Sequence, residues 1–221
     1  PKWSLEAYRA QAVAARSFAL FHYHRNGNER VWDLGDGQAS QVYGGYDAET
    51  GTAWRAVRST HGRILAYGSP GREKPFLVQY SAACGGHVNP ARALRPAYDI
   101  EPEQGGQVCN DCRQCARYRW PPVRIRKTDL YAALSVSYPR IRKLGGIRRI
   151  KVRSKTSWGR YEWLDVFGPS GKRETLRAED LRLAILFNDV PVQGTLYSMN
   201  CTIEDLGDSI QFSNGRGFGH G

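Results

Sequence analysis

The chain has 221 residues, long enough to bury a core without relying on disulfide or metal staples. Its 41% hydrophobic and 24% charged residues are ordinary for a globular protein, and no apolar run approaches the roughly 18 residues of a bilayer span, so no membrane-spanning helix is expected in this segment. The 32 Lys and Arg exceed the 21 Asp and Glu, for a formal charge of +11 and a pI near 9.6, which favours a polyanionic partner: nucleic acid, anionic lipid or an acidic wall polymer.

The opening Pro1-Lys2-Trp3-Ser4 has neither an initiator Met nor a signal-peptide pattern, as expected of a fragment whose address segment has been removed. Ser4 can cap a helix that starts at Leu5 and runs at least to Phe21, with no Gly or Pro before Gly27. Small residues at Ala7, Ala10, Ala14 and Ala15 make this helix thin, and it is expected to lie buried at the centre of the fold. His22 and His24, two apart on it, point to different faces and are not read as a metal pair.

From Val31 to Tyr80 short apolar runs alternate with turns, and Arg63 to Tyr67 with Phe76 to Tyr80 reads as two strands joined by the Gly68-Ser69-Pro70-Gly71 loop. Thr52 to Thr60 reads as a helix. A Cys- and Gly-rich section covers Ser81 to Trp120, and Pro121-Pro122 leads into a helix over Thr128 to Leu134. Strands are expected at Ile147 to Ser154, Tyr161 to Phe167 and Ser209 to Phe212, with a helix from Ala178 to Leu186 ending at Asn188. The basic run Arg148 to Arg153 alternates with aliphatics, as one solvated strand face would. Helices and strands do not alternate in βαβ order, so the class is α+β.

Three separated segments carry a resemblance. Glu6-Ala7-Tyr8-Arg9-Ala10-Gln11-Ala12-Val13-Ala14-Ala15-Arg16-Ser17-Phe18-Ala19 is close to E-A-L-K-A-Q-A-V-A-A-R-T-Y-A; Gln41-Val42-Tyr43-Gly44-Gly45, with Ala56-Val57-Arg58-Ser59-Thr60-His61-Gly62, is similar to Q-V-Y-G-G and A-V-x-x-T-x-G; the third joins Tyr80-Ser81-Ala82-Ala83-Cys84-Gly85-Gly86-His87 to Gly215-Arg216-Gly217-Phe218-Gly219-His220-Gly221. Together, and in this order, they resemble the stage II sporulation protein D (SpoIID) and LytB family of peptidoglycan lytic transglycosylases. Members of the family continue past the terminal G-H-G with V-G-M-S-Q-x-G-A, where this sequence stops.

The resemblance implies an Ala-rich catalytic helix packed on an antiparallel sheet or barrel-like core made of residues 1–120 and 195–221, with an inserted α+β lobe at 121–194 and a groove between them. It also implies cleavage of the bond between N-acetylmuramic acid and N-acetylglucosamine in peptide-stripped glycan strands, an extracytoplasmic location, and a cell-wall amidase as partner. Glu6 takes the position of the family's acid. One carboxyl group suffices for this chemistry, because the attacking group is the sugar's own C6 hydroxyl, already tethered in the substrate. Such an acid must hold its proton near neutral pH, which burial would favour and the helix N-terminus opposes; the alternative role for Glu6 is to complement the helix end. Arg16, nearly three turns along the same helix, is either a ligand for an acetamido or lactyl group or a helix-terminal charge. Gln41, Tyr43 and Tyr46 suit sugar recognition, with edge-strand packing as the other reading. Ser81, Gly86, His87 and His220 are expected to line the groove beside flexible glycine backbone.

Cys109, Cys112 and Cys115 are spaced like a metal-binding knuckle, and Cys84 completes a four-thiolate structural zinc site, with His87 as an alternative donor. Disulfides compete with this reading in an oxidising compartment, although five cysteines leave one unpaired, and an iron–sulfur cluster could use the same knuckle. The S-T-H-C-Q pattern through which some family members hold zinc reads Gly37-Gln38-Ala39-Ser40-Gln41 here, so those ligands are absent. Nucleic acid is not expected as the partner, since Arg113, Arg117 and Arg119 around the knuckle are offset by Glu101, Glu103 and Asp111.

Overall fold

A computed structural model describes residues 3–26, 31–37, 40–79, 81–93 and 98–219. The chain forms two compact units, Pro1–Tyr80 and Ser81–Gly221. The class is α+β, and none of the sheets among the described residues closes into a barrel. No helix among them is long and apolar enough to cross a membrane.

The first unit is built on helix α1 (Leu5–Asn26), a run of strong helix formers. Ser4 caps it as expected, its Oγ accepting from the Ala7 N–H at 3.2 Å. Helix α2 (Gly51–Ser59) is capped by Thr50, whose Oγ1 accepts from Ala53 N–H at 3.2 Å. A short antiparallel ribbon, β1 (Ala66–Tyr67) with β2 (Lys74–Pro75), completes the unit. The two expected strands around the Gly68 to Gly71 loop shrink to this two-residue pairing, because Phe76 to Gln79 makes no ladder.

Helix α1 packs against α2 and β2, not against a sheet core. The expected central burial is not found: Ser17 is its only buried residue among those described. The Ser17 hydroxyl donates to Val13 O and accepts from Leu65 N–H, each at 2.7 Å, and so joins the helix to the strand segment. Alanines offer little apolar area per residue, and the helix carries no wide apolar stripe that would demand enclosure.

The second unit holds the hydrophobic core. In chain order it contains β3 (Arg119–Trp120), β4 (Val123–Arg126), α3 (Lys127–Ser137), β5 (Arg149–Lys155), β6 (Tyr161–Phe167), β7 (Arg173–Arg177), α4 (Ala178–Phe187), β8 (Thr202–Asp205), β9 (Ser209–Ser213) and β10 (Gly215–Arg216). Two three-stranded antiparallel sheets, β4-β9-β8 and β5-β6-β7, and the ribbon β10-β3 make up its strands. Leu130 and Leu134 of α3, Leu164 and Val166 of β6, Leu181 of α4 and Ile210 and Phe212 of β9 are fully enclosed in one cluster. On β4 the alternation is strict, with Val123 and Ile125 inside and Arg124 and Arg126 outside.

Strand β4 pairs with β9 from Val123↔Phe212 to Arg126↔Ser209, so these two segments, far apart in sequence, share one sheet and one core.

One charged group is enclosed with the core. Glu179 on α4 accepts from Arg182 Nε at 2.8 Å and faces Arg160 Nη2 at 3.4 Å, and all three side chains are less than 10% exposed. Burial lowers the Arg160 guanidinium to about 10, against the attraction of Glu179. The same Nη2 donates to Gly219 O at 2.6 Å, so this network also holds the last described residues. Removing one partner from such a group leaves buried charge uncompensated, and Glu179→Ala is expected to cost about 3–5 kcal/mol in urea denaturation. A loss below about 1 kcal/mol, the range of exposed pairs, contradicts this role.

Candidate functional site

The site residues expected from sequence fall in both units. In the first, Glu6 occupies the first turn of α1, and its side chain is 76% exposed. Its Oε1 pairs with Arg9 Nη1, and Arg9 Nε donates onward to Ser59 Oγ of α2 at 3.0 Å. Among the described residues, the enclosure expected of an acid catalyst is therefore not present around this carboxylate. Arg9 was readable as a partner, since residues three apart share a helix face.

Arg16 is engaged by backbone. Its Nη1 donates to Thr60 O at 2.8 Å and Arg63 O at 2.7 Å, and its Nη2 lies 3.5 Å from Val57 O. These carbonyls follow or end α2, where the last turn has no intrahelical donors, so the guanidinium caps that helix. Gln41 Nε2 likewise donates to Ala15 O at 3.0 Å. Tyr43 and Tyr46 are exposed at 68% and 79%, as are Trp3, Trp32 and Trp54 to lesser degrees. Rings in this state leave much of their surface open, as stacking on a sugar face requires.

In the second unit, Cys84, Cys109 and Cys112 bring three sulfurs within 4.8 Å of one another. Cys109 and Cys112 Sγ are 3.9 Å apart, far beyond a disulfide bond, and all five cysteines are free. A tetrahedral metal with metal–sulfur bonds of about 2.3 Å places its thiolates about 3.8 Å apart, so this triad fits one ion. Gly86 N–H points to Cys84 Sγ at 3.4 Å, the backbone support that a knuckle gives a thiolate. Burial pushes the Cys84 thiol up to about 12 and raises Cys112 as well. Burial also acts to raise Cys109, but hydrogen bonds from Cys84, Cys112 and Asp111 outweigh it and lower this thiol.

Cys115 is not part of the triad: it follows a short 3-10 turn over Asp111–Gln114 and lines a neighbouring cavity. His87 is stacked on Trp158, with ring centroids 4.9 Å apart and planes at 13°. Gly86 is buried and its carbonyl accepts from Cys109 N–H at 3.0 Å, whereas Ser81 is exposed. His220, with Tyr80 and Gly221 of the third motif, lies outside the described residues.

The two halves of that motif do meet. Ala83 and Phe218 form an antiparallel bridge, with Phe218 N–H donating to Ala83 O at 2.8 Å. Gly85, at φ 73°, has no room for a side chain, since a Cβ there would lie 2.8 Å from Gly217 N. Arg117 closes the junction, its guanidinium 5.0 Å from the Tyr197 ring centre and 4.6 Å from that of Phe218. No sequence signal marked Arg117, because its ring partners lie about 80 and 100 residues away.

Residues 1–67 match the family model described as SpoIID, stage II sporulation protein. An uncharacterized protein of Brachyspira hyodysenteriae (strain ATCC 49526 / WA1) is 36% identical over 91 residues, 41% of this chain and 24% of that protein. The amidase enhancer of Bacillus subtilis (strain 168) is 36% identical over 86 residues, 39% of this chain and 10% of that protein. The chain thus spans under a quarter of these relatives' lengths.

The thiol triad is checked by titrating the reduced protein with cobalt(II). One ion per chain with a thiolate-to-metal absorption band is expected, weakened at least about tenfold in Cys109→Ser, as loss of a metal's direct or supporting contacts does. An unchanged band in the variant would place the metal elsewhere.

Proposed function

We propose, from the match of residues 1–67 to the stage II sporulation protein D family model, that the chain is a peptidoglycan lytic transglycosylase of that family acting outside the cytoplasm, with Glu6 as its one acid and base. The observation that supports this reading is the position of Glu6: it lies within the family-matched segment, in the first turn of α1, with a carboxylate that a substrate can reach.

Glu6 gives its proton to the oxygen between N-acetylmuramic acid and N-acetylglucosamine as that bond breaks. The muramic C6 hydroxyl attacks the anomeric carbon, and the Glu6 carboxylate takes the hydroxyl proton as the 1,6-anhydro ring closes. No water is consumed. Tethering the nucleophile in the same sugar replaces a second catalytic carboxylate and is worth up to about 7–11 kcal/mol of the barrier. For the first step Glu6 must release Arg9, and a bound glycan must displace the water around it. Arg9 then remains within reach of the leaving sugar, tethered by Ser59.

The triad Cys84, Cys109 and Cys112 is assigned to zinc in a structural role, since borderline-soft Zn²⁺ takes thiolates and thiolate-rich donor sets are typical of structural sites. Metal binding also protects thiols from oxidation in an extracytoplasmic setting. A cell-wall amidase is the proposed partner, by analogy with the relative named amidase enhancer.

One observation favours a second reading, a glycan-binding module without activity: the Glu6 carboxylate is solvated and ion-paired. Peptide-stripped glycan incubated with the protein separates the two. Mass spectrometry is expected to find 1,6-anhydro-muramic ends, reduced about 10²–10⁴-fold in Glu6→Gln, the usual worth of a positioned acid–base group. Glycan that co-sediments with the protein but yields no anhydro ends establishes the binding module instead.

A further inference from the structure

Beside the thiol triad, a cavity of about 560 Å³ is lined by Arg113, Cys115, Ala116, Tyr118, Arg119 and Arg216. Half of that lining is arginine. Many other arginines of this unit face acids: Arg124 faces Asp208, Arg126 Asp129, Arg140 Glu174, Arg177 Asp180, and Arg153 and Arg173 both face Asp165, while Arg117 and Arg149 lie over aromatic rings. Arg113, Arg119 and Arg216 face no carboxylate among the described residues.

The placement of two of them is costly in itself. Arg119 and Arg216 are direct cross-strand partners in the β3–β10 ribbon, and both are exposed on it. Like charges directly opposite one another destabilise an antiparallel pair. Arg113 brings a third guanidinium to the same cavity from the turn between Cys112 and Cys115. An isolated two-residue ribbon has little ladder energy to hold such a pair together. An anion between the guanidinium groups removes the conflict.

We propose that this cavity binds the phosphate ester of a sugar, with Arg113, Arg119 and Arg216 on the phosphate. A guanidinium donates through a planar fork that matches the oxygens of an oxyanion bidentately. A phosphate monoester offers three terminal oxygens and a charge of about −1.5 to −2 near neutral pH, which suits three forks better than the two oxygens and single charge of a carboxylate. The volume lies within the roughly 300–1,000 Å³ of small-molecule sites and exceeds the need of a bare ion. Tyr118, half-buried in the wall, supplies a ring against which a pyranose can lie. This site is built entirely from the second unit and does not depend on the transglycosylase reading.

The test is calorimetric and thermal titration of the metal-loaded protein at low salt with N-acetylglucosamine 1-phosphate, inorganic phosphate, acetate and N-acetylglucosamine. The sugar phosphate is expected to bind best and to raise Tm, with inorganic phosphate weaker and the other two without effect. Arg216→Gln is expected to weaken sugar phosphate binding at least about tenfold, the scale of one lost charge-assisted bond, while raising Tm in phosphate-free buffer because the cross-strand repulsion is gone. Arg113→Gln, outside the ribbon, is expected to weaken binding without that rise in Tm, and unchanged cobalt spectra show that both variants are folded. Equal binding of inorganic phosphate overturns the sugar, equal binding of acetate overturns the phosphate, and wild-type affinity in both variants overturns the site.

Discussion

The second unit's least regular segment depends on a backbone crossing that lies beside a cluster of three thiols. From Ser81 to Tyr118 the described chain has no helix longer than a 3-10 turn and no strand, only isolated bridges. Such a segment cannot draw its stability from a ladder, and its core contribution is small. What fixes it is Ala83 and Gly85 lying against Gly217 and Phe218 on one side, while Cys84 meets Cys109 and Cys112 on the other. The glycines are required there because the two backbones approach more closely than a side chain allows. The His87–Trp158 stack, the Arg117 sandwich and the arginine cavity all hang from this junction.

The two units are stabilised differently. The second encloses a continuous apolar cluster of helices and sheets, and carries its buried charges as a satisfied group. The first joins its elements largely through single polar contacts, such as Ser17 with Leu65 and Arg16 with the end of α2, and leaves many aromatic rings exposed. A surface of that kind is suited to stacking on carbohydrate, and it is also the surface on which Glu6 is presented. An acid that starts in water must be enclosed by its substrate, so in the proposed reaction glycan binding and proton transfer are one coupled event.

Elements with strong local signals were legible in the sequence. The Ser4 cap, the Gly-free run of α1, the helical stretch of α2, and the strands β5, β6 and β9 all occur within two or three residues of expectation. Strands β3, β4, β7, β8 and β10 were missed because they are short or adjoin turns and helices, and their pairing is decided across the chain: Gly215 finds Trp120, and Phe212 finds Val123. In the candidate site, the thiol cluster was legible from spacing alone, but Cys115 was not separable from its neighbours, since a 3-10 turn redirects it. Arg16 showed a charge on a helix; that its partners would be carbonyls of another helix had no sequence signal.

The junction makes its strongest commitment at the sulfurs. Zinc K-edge X-ray absorption on the protein as purified reports directly on what they hold. The account predicts a shell of at least three sulfurs at about 2.3 Å. A shell of only nitrogen or oxygen near 2.0–2.1 Å, or metal-free protein with these thiols joined as disulfides, contradicts it.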